Sequence, residues 1–408
     1  MKLKFGYIII ILFIGMSSFG QTQIKVMSYN LLYYPTGTGI DRKDDLRYIV
    51  NDYRPDIFVV CELENYTGAD EIINYCLQTP DNRYEAVSFT PNHSGNQYAL
   101  QQMLYYNSRK FELINETYLT TYVRDINHYT LKLRTQTPDT IDVYVAHLKA
   151  SGGTTNENER LDMVNVMTHD LQNIPSSHFV IFAGDFNLYN SDEPAYQEII
   201  DPTNAVVLKD PINLLGNWHN NYNIREYVTQ STHSASGSDY VGGGLDDRFD
   251  FIMLSENLIN NSHLQYLNNS YKSYGNNGNC FNDAINDNSC AGSDYSTELR
   301  NHLFTMSDHL PVVLTLESNQ SLDISEGLLT NKCHIIGSNI VKEQIRIFTD
   351  NFKPVLVEVY NSLGQSIIQI SDYNSNETIN ILTLHKGMYL IRLQYENNIK
   401  ILKFVKTD

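Results

Sequence analysis

His178-Phe-Val-Ile-Phe-Ala-Gly-Asp-Phe-Asn187 is an apolar run that ends on two polar side chains separated by an aromatic one. Such residues favour an extended chain on a half-buried pleated surface. Gly184 allows another backbone to come close just before the acid. Strand side chains alternate between faces, so Asp185 and Asn187 share one side while Phe186 anchors the other. Three more runs close in the same manner: Ile24-Lys-Val-Met-Ser-Tyr-Asn30, Asp56-Ile-Phe-Val-Val-Cys-Glu62 and Ile141-Asp-Val-Tyr-Val-Ala-His147. Two others open on polar residues: Asp250-Phe-Ile-Met-Leu254 and Asp308-His-Leu-Pro-Val-Val-Leu-Thr-Leu316. A carboxylate or imidazole on the core-facing side of a strand is costly unless it is paired, hydrogen-bonded or on a metal. If the closing strands run one way and the opening strands the other, Asn30, Glu62, His147, Asp185, Asn187, Asp250, Asp308 and His309 meet at one rim. The pattern predicts an active site.

The rest of the chain is consistent with an exported, packed protein. Its 408 residues suggest one large domain and a smaller one, and 42% hydrophobic with 11% aromatic residues supports a core rather than disorder. A net charge of -18 argues against a protein held on nucleic acid by a broad basic surface. It leaves room for a nuclease whose cleft receives phosphate beside a divalent cation. Met1-Lys-Leu-Lys4, the apolar residues 5–16 and Ser18-Phe-Gly20 read as a secretory signal peptide over residues 1–20. That run is too short for a confident membrane span, so a secreted or surface-attached monomer with no stable span is expected. Cys280 and Cys290 bracket a polar, Asn-rich loop, which suits a disulfide in an exported protein. Cys61 reads as a small buried hydrophobe rather than a bridge to Cys76, and no cysteine spacing resembles a zinc site.

Helical spacing marks residues 44–53 (Leu46, Ile49, Val50) and 156–171 (Leu161, Val164, Met167, Leu171). Strands interleaved with such helices predict a two-sheet α/β sandwich with helices on its outer faces. The long stretch 260–305, rich in Asn, Ser, Tyr and Gly, reads as a functional or stapled loop. Past residue 317 the composition turns polar. Short strands at 344–348, 355–359, 366–370, 378–382, 389–394 and 400–405, separated by turn residues, then predict a small all-β sandwich.

Gly184-Asp185-Phe186-Asn187 and Ser307-Asp308-His309, with Glu62 after its Val-rich run, resemble the endonuclease/exonuclease/phosphatase superfamily over roughly residues 22–317. The resemblance implies a four-layer α/β/β/α sandwich of the deoxyribonuclease I type. The tail resembles the C-terminal sorting domain of type IX secretion substrates through Val359-Tyr-Asn-Ser-Leu-Gly-Gln365, Leu384-His-Lys-Gly-Met-Tyr-Leu390 and Lys403-Phe-Val-Lys406. The expected organisation is a signal peptide (1–20), a catalytic domain (21–317), a linker (318–337) and a sorting domain (338–408).

The superfamily resemblance implies a Mg²⁺ (or Mn²⁺/Ca²⁺) site at Glu62 with Asn30 and Asp308, since hard cations take oxygen ligands. It implies that Asp185 orients or deprotonates the attacking water and that Asn187 hydrogen-bonds phosphate. His309, paired with Asp250, and His147 each supply a proton or stabilise the pentacovalent phosphorus, and the sequence leaves their division of labour open. Arg124 is the counterpart of a phosphate-contacting arginine. Arg248 is open between phosphate and an ion pair with Asp246 or Asp247. Trp218 is open between stacking on a base and packing a loop. Two departures stand out. Glu64 occupies the position where deoxyribonuclease I carries a DNA-contacting arginine. The carboxylate expected to support His147 is replaced by Gln101 or Gln102. The expected activity is metal-dependent phosphoester hydrolysis, foremost by an extracellular nuclease acting on nucleic acid. Sphingomyelin or a small phosphoester is the alternative substrate, and a non-catalytic surface adhesin is the more distant reading.

Overall fold

The computed structural model describes residues 22–78, 83–95, 100–238 and 240–322 of one compact unit. In a second unit it describes 333–336, 339–349, 354, 356–375, 377–395 and 398–407. The division falls between Leu322 and Asp323. The expected signal peptide and most of the expected linker lie outside the described residues.

The chain first lays down β1 (Thr22–Tyr34), β2 (Ile57–Leu63), β3 (Tyr84–Ala86) and β4 (Gln101–Asn107). A second sheet follows from β5 (Phe111–Leu119), β6 (Ile126–Leu133), β7 (Thr140–His147), β8 (Phe179–Asp185), β9 (Leu208–Lys209) and β10 (Asp250–Ser255), in the order β5-β6-β7-β8-β10-β9. The chain then returns to the first sheet with β11 (Leu264–Tyr266), β12 (Lys272–Ser273) and β13 (Val312–Ser318). That sheet has the order β11-β13-β1-β2-β4-β3, with β12 also on β13. The Cys61 thiol on β2 lies 3.5 Å from Ala146 O on β7, a contact between the facing sheets.

Helices cover the outer faces for the reason their spacing gave. Lys43–Tyr53 buries Leu46, Ile49 and Val50, a stripe of i, i+3, i+4 type. It stops at Arg54, which is left-handed, before Pro55. Tyr53 ties it to the first sheet by donating its hydroxyl to Leu314 O at 3.0 Å. Thr154–Asp170 buries Met163, Val164 and Met167, and Asp170 accepts the Tyr144 hydroxyl of β7 at 2.7 Å. The unit is a four-layer α/β/β/α sandwich.

Residues 260–305 are more ordered than their composition suggested. They hold β11, β12 and most of the helix Thr297–Met306, which is capped by Ser296 Oγ accepting from Leu299 N at 3.1 Å. A Cys280–Cys290 disulfide staples the segment. Arg300, buried, donates to Ile285 O and Asp287 O at 2.8 and 2.9 Å. Tyr266, Tyr271 and Tyr274 are buried and complete the core. Cys61, Cys76 and Cys333 are free and buried. Among the described residues no helix is long and apolar enough to cross a membrane.

The second unit packs β14 (Cys333–Ile335), β16 (Gln344–Thr349) and β19 (Thr378–Asn380) as one sheet. The other joins β15 (Ile340–Val341), β21 (Asn398–Lys406), β20 (Gly387–Tyr395), β17 (Leu356–Tyr360) and β18 (Ser366–Ser371) in that order. Alternate residues Ile347, Val357, Val359, Ile391 and Leu393, with Tyr373 and Phe404, are fully buried in a shared core. It is an all-β sandwich.

Candidate active site

Strand direction gathers the polar ends. β1 runs parallel to β2, and β7 parallel to β8 with His147 paired to Asp185. β10 runs antiparallel to β8, so its first residue, Asp250, also pairs with Asp185. β13 runs antiparallel to β1 with Val312 opposite Ser28, which brings Asp308 and His309 to the end of β1 that carries Asn30. Gly184 is required at this crossing. Its φ is +142°, and a Cβ there would lie 1.8 Å from Ala146 O. Phe186 is buried against Phe182 and Phe251, with ring centroids 4.4 and 5.3 Å away, and so fixes the loop between the two polar residues.

Glu62 reaches the site by a different route from simple alternation. Cys61, one residue earlier, faces the opposing sheet. Glu62 has a left-handed φ of 58°, and the β2–β4 register shifts between Val60 and Leu63. A bulge re-aims a side chain in this way, and Tyr33 N donates to Glu62 Oε2 at 3.2 Å.

Asp185 lies at the centre. Its Oδ1 accepts from Asn187 N and Nδ2 at 3.1 and 2.9 Å. Its Oδ2 accepts from Asn30 Nδ2 at 3.0 Å and lies 3.5 Å from His147 Nε2 and 3.9 Å from His309 Nε2. Asn30 Nδ2 donates equally to Glu62 Oε1 at 3.0 Å, while its oxygen accepts from Leu32 N. Asn30 thus spaces two carboxylates with its amide nitrogen. The Asn187 amide likewise holds Asp185, and also reaches Leu148 O at 3.4 Å, instead of extending outward to phosphate. His309 Nδ1 is 2.7 Å from Asp250 Oδ2, and the Gln230 amide stands 2.8 Å from His309 Nε2. Asp308 Oδ2 accepts from Val241 N at 3.1 Å and from Gln230 Nε2 at 3.4 Å.

The electrostatics follow from burial. Burial raises the Glu62 carboxyl, and the Asp308 charge adds to the rise. Burial likewise raises Asp185, with Asp250 and Glu62 adding to it against the His309 charge. Burial disfavours charge on His309, but Asp250, followed by Asp185 and Asp308, outweighs it and holds the imidazole well above its ordinary range. Burial, with the charges of Arg124 and His309, drives His147 well below that range.

Glu62, His147 and Asp185 turn ligand atoms to within 4.8 Å of one another. Asp308 Oδ1 is buried and accepts no hydrogen bond among the described residues. A buried carboxylate oxygen left in this way is costly, and a hard divalent cation would satisfy it. The carboxylates of Glu62, Asp185 and Asp308 offer oxygen donors that fit a divalent cation.

Three sequence candidates fall elsewhere. Arg124 is buried at the site's back, its Nη1 donating to His147 O and Leu148 O at 3.1 and 3.2 Å. Arg248 is wholly buried, bound bidentately to Asp210 at 2.9 Å and stacked 4.2 Å over Phe251. It meets neither phosphate nor Asp246 or Asp247. Trp218 is wholly buried between Tyr196 and Phe251, its Nε1 donating to Leu214 O, so it packs a loop. Gln101 Oε1 accepts from Asn92 N, and Gln102 Nε2 and His147 Nδ1 are both buried with no hydrogen-bond partner among the described residues. Neither glutamine supports the imidazole. The cavity above these groups measures about 780 Å³ and adds Tyr33, Glu64, Tyr189, Gln230, Tyr240 and Asp247 to its lining. Of these, only Glu64 had a sequence signal. Thr232 and His233, nearby, hold the loop: Thr232 Oγ1 donates to Ser307 O, and the His233 ring stacks on Tyr240.

Residues 339–407 match the family model of a secretion system C-terminal sorting domain. No curated protein matches the chain. Among solved structures the chain is similar to the human Nocturnin catalytic domain with bound sulfate anion, at 18% identity, covering 73% of this chain and 97% of that one, TM-score 0.46. It is also similar to an endonuclease/exonuclease/phosphatase from Bacteroides vulgatus, at 16% identity, covering 73% and 99%, TM-score 0.48. A third is a mannosyl-6-phosphatase from Bacteroides thetaiotaomicron, at 14% identity, covering 72% and 99%, TM-score 0.45.

Proposed function

We propose that the N-terminal unit is a divalent-cation-dependent phosphoester hydrolase, exported as a monomer by a type IX system and released or kept at the cell surface. The observation that carries the reading is the meeting of Glu62, Asp185, Asp308, His147 and the His309–Asp250 pair on the floor of one cavity. Export rests on the sorting-domain match at residues 339–407.

The residues divide the chemistry as follows. Glu62 and Asp308 would hold the cation, and Asn30 spaces Glu62 from Asp185. When bound, the cation neutralises charge on the phosphoryl oxygens and on the surrounding carboxylates. Asp185, fixed through Oδ1 by Asn187, turns Oδ2 toward the attacking water, orients it and takes its proton. His309, kept charged by Asp250, delivers a proton to the leaving oxygen. His147, neutral, gives a hydrogen bond to a phosphoryl oxygen, and Arg124 supports its backbone from behind. Nucleic acid is the substrate class the sequence places first, with sphingomyelin and small phosphoesters after it.

The test uses the purified protein with Mg²⁺, Mn²⁺ or Ca²⁺ against plasmid DNA, single-stranded DNA, RNA, sphingomyelin and small phosphoesters. Turnover that a chelator abolishes and one added cation restores is the expected result. Cation-independent turnover, or none on any substrate, would end this reading.

A further inference from the structure

The mouth of the cavity differs in chemistry from its floor. Tyr33, Tyr189 and Tyr240 stand there with the carboxylates of Glu64 and Asp247, and no Lys or Arg is among the described lining residues. Arg124 is buried beneath the floor, donating to the carbonyls of His147 and Leu148, and its charge acts first on Asp185 and Glu62 rather than on the carboxylates of the mouth.

Both carboxylates are anchored. Glu64 Oε2 accepts from Thr36 N at 2.9 Å and from the Thr36 hydroxyl, which pins the turn after Tyr33. Asp247 Oδ1 pairs with His219 Nδ1, and the Asp247 backbone exchanges hydrogen bonds with Gln230, itself in the site. The second oxygen of each, Glu64 Oε1 and Asp247 Oδ2, accepts no side-chain or backbone donor among the described residues. The mouth therefore presents fixed, anionic acceptors between aromatic faces.

Nucleic acid is a poor fit to such a mouth. Each strand carries a phosphate about every 3.4 Å of rise, and binding is dominated by Lys and Arg that neutralise them. A backbone entering here would set its flanking phosphates against two carboxylates. A neutral, hydroxyl-rich group gains from the same features: its hydroxyls donate charge-assisted hydrogen bonds to the free oxygens, and its carbon-bound faces pack on the tyrosine rings.

We infer that the cleft takes a single terminal phosphate on a neutral polyhydroxylated group, that is, a sugar or polyol phosphomonoester, with Glu64 and Asp247 reading its hydroxyls. The inference rests on the hydrolase reading above and narrows its substrate. In the reaction the water oxygen bonds to phosphorus and the ester P–O bond breaks. One water proton passes to Asp185, and a proton from His309 goes to the leaving sugar oxygen. The products are the free sugar and inorganic phosphate.

The experiment measures kcat/KM of the full chain, with each cation, on glucose 6-phosphate and on cyclohexylmethyl phosphate, which has a similar ring without hydroxyls. p-Nitrophenyl phosphate, single-stranded DNA and RNA complete the panel. The sugar phosphate should exceed its hydroxyl-free analogue by about a hundredfold, about tenfold for the hydrogen bond to each carboxylate, with DNA and RNA uncut. Glu64→Gln and Asp247→Asn should each shrink that ratio by about tenfold, since a neutral amide is a weaker acceptor. Circular dichroism of both variants checks that the fold persists. Faster cleavage of DNA or RNA than of the sugar phosphate overturns the substrate class and leaves the hydrolase standing. A ratio unmoved in both variants removes the two carboxylates from recognition and overturns the inference. Failure to turn over even p-nitrophenyl phosphate removes the hydrolase reading itself.

Discussion

His147 and His309 approach the same oxygen of Asp185 from different sheets, at 3.5 and 3.9 Å, yet their environments drive them in opposite directions. His309 has Asp250 2.7 Å from Nδ1, and the pair holds the imidazole well above its ordinary range against the cost of burial. His147 has a buried Nδ1 with no hydrogen-bond partner among the described residues; Glu62 Oε1, the nearby carboxylate oxygen, is 4.0 Å off. Burial, Arg124 and His309 itself then favour the neutral form. The difference teaches that the role of a histidine here is set by what stands behind its ring, not by the reacting group in front of it. In the proposed reaction the two imidazoles, shifted in opposite directions around a central carboxylate, divide proton delivery from hydrogen bonding.

The comparison breaks most visibly at His309. His309→Ala should lower kcat by about a thousandfold, within the range for loss of a positioned acid, and should also lower the melting temperature, because Asp250 is left buried without its partner. A loss below about tenfold would mean that the leaving oxygen obtains its proton elsewhere. Asp250→Asn sharpens the same point with a smaller effect, about a hundredfold in kcat, because the amide keeps the ring's place and forfeits the charge that supports it. Its KM should hold within about twofold, since Asp250 is wholly buried behind the ring and touches no substrate. A change in KM with kcat intact would assign Asp250 to binding.

Much of this site was legible because strand ends are local signals. A polar residue closing or opening an apolar run needs no distant information: Asn30, His147 and Asp185 were found at the ends of such runs, Asp250 and His309 at their starts. Glu62 was found for an incomplete reason. Alternation alone would have sent it away from Cys61's side, and a bulge with left-handed φ corrects its aim. The arginines failed for want of tertiary information. Arg248 sits two residues before Asp250 in sequence, but its partner Asp210 is 38 positions away, and that bidentate bond removes it from the cavity. Trp218 and the tyrosines at 266, 271 and 274 occupy segments whose polar composition imitates an exposed loop, while their rings complete the core. The mouth of the cavity was the least legible part. Gln230, Tyr240 and Asp247 share the long connection that leads into β10, Tyr189 comes from the loop after β8, and no periodicity links them.

The smallest effect is expected at His147, and it is the one that decides whether the two rings truly differ. A neutral imidazole with an unsupported Nδ1 offers one hydrogen bond, worth about 1 kcal/mol net in most settings. His147→Gln retains an amide donor in the same pocket, so kcat should fall by only about tenfold, two orders of magnitude less than for His309→Ala. Backbone support should survive, because Arg124 holds His147 through its carbonyl and not through the ring. Equal losses in the two variants would mean that His147 also carries a proton into the reaction. In that case a carboxylate, Glu62 at 4.0 Å being the candidate, must move closer to its Nδ1 when substrate is bound. The asymmetry would then belong to the unliganded site rather than to the catalytic one.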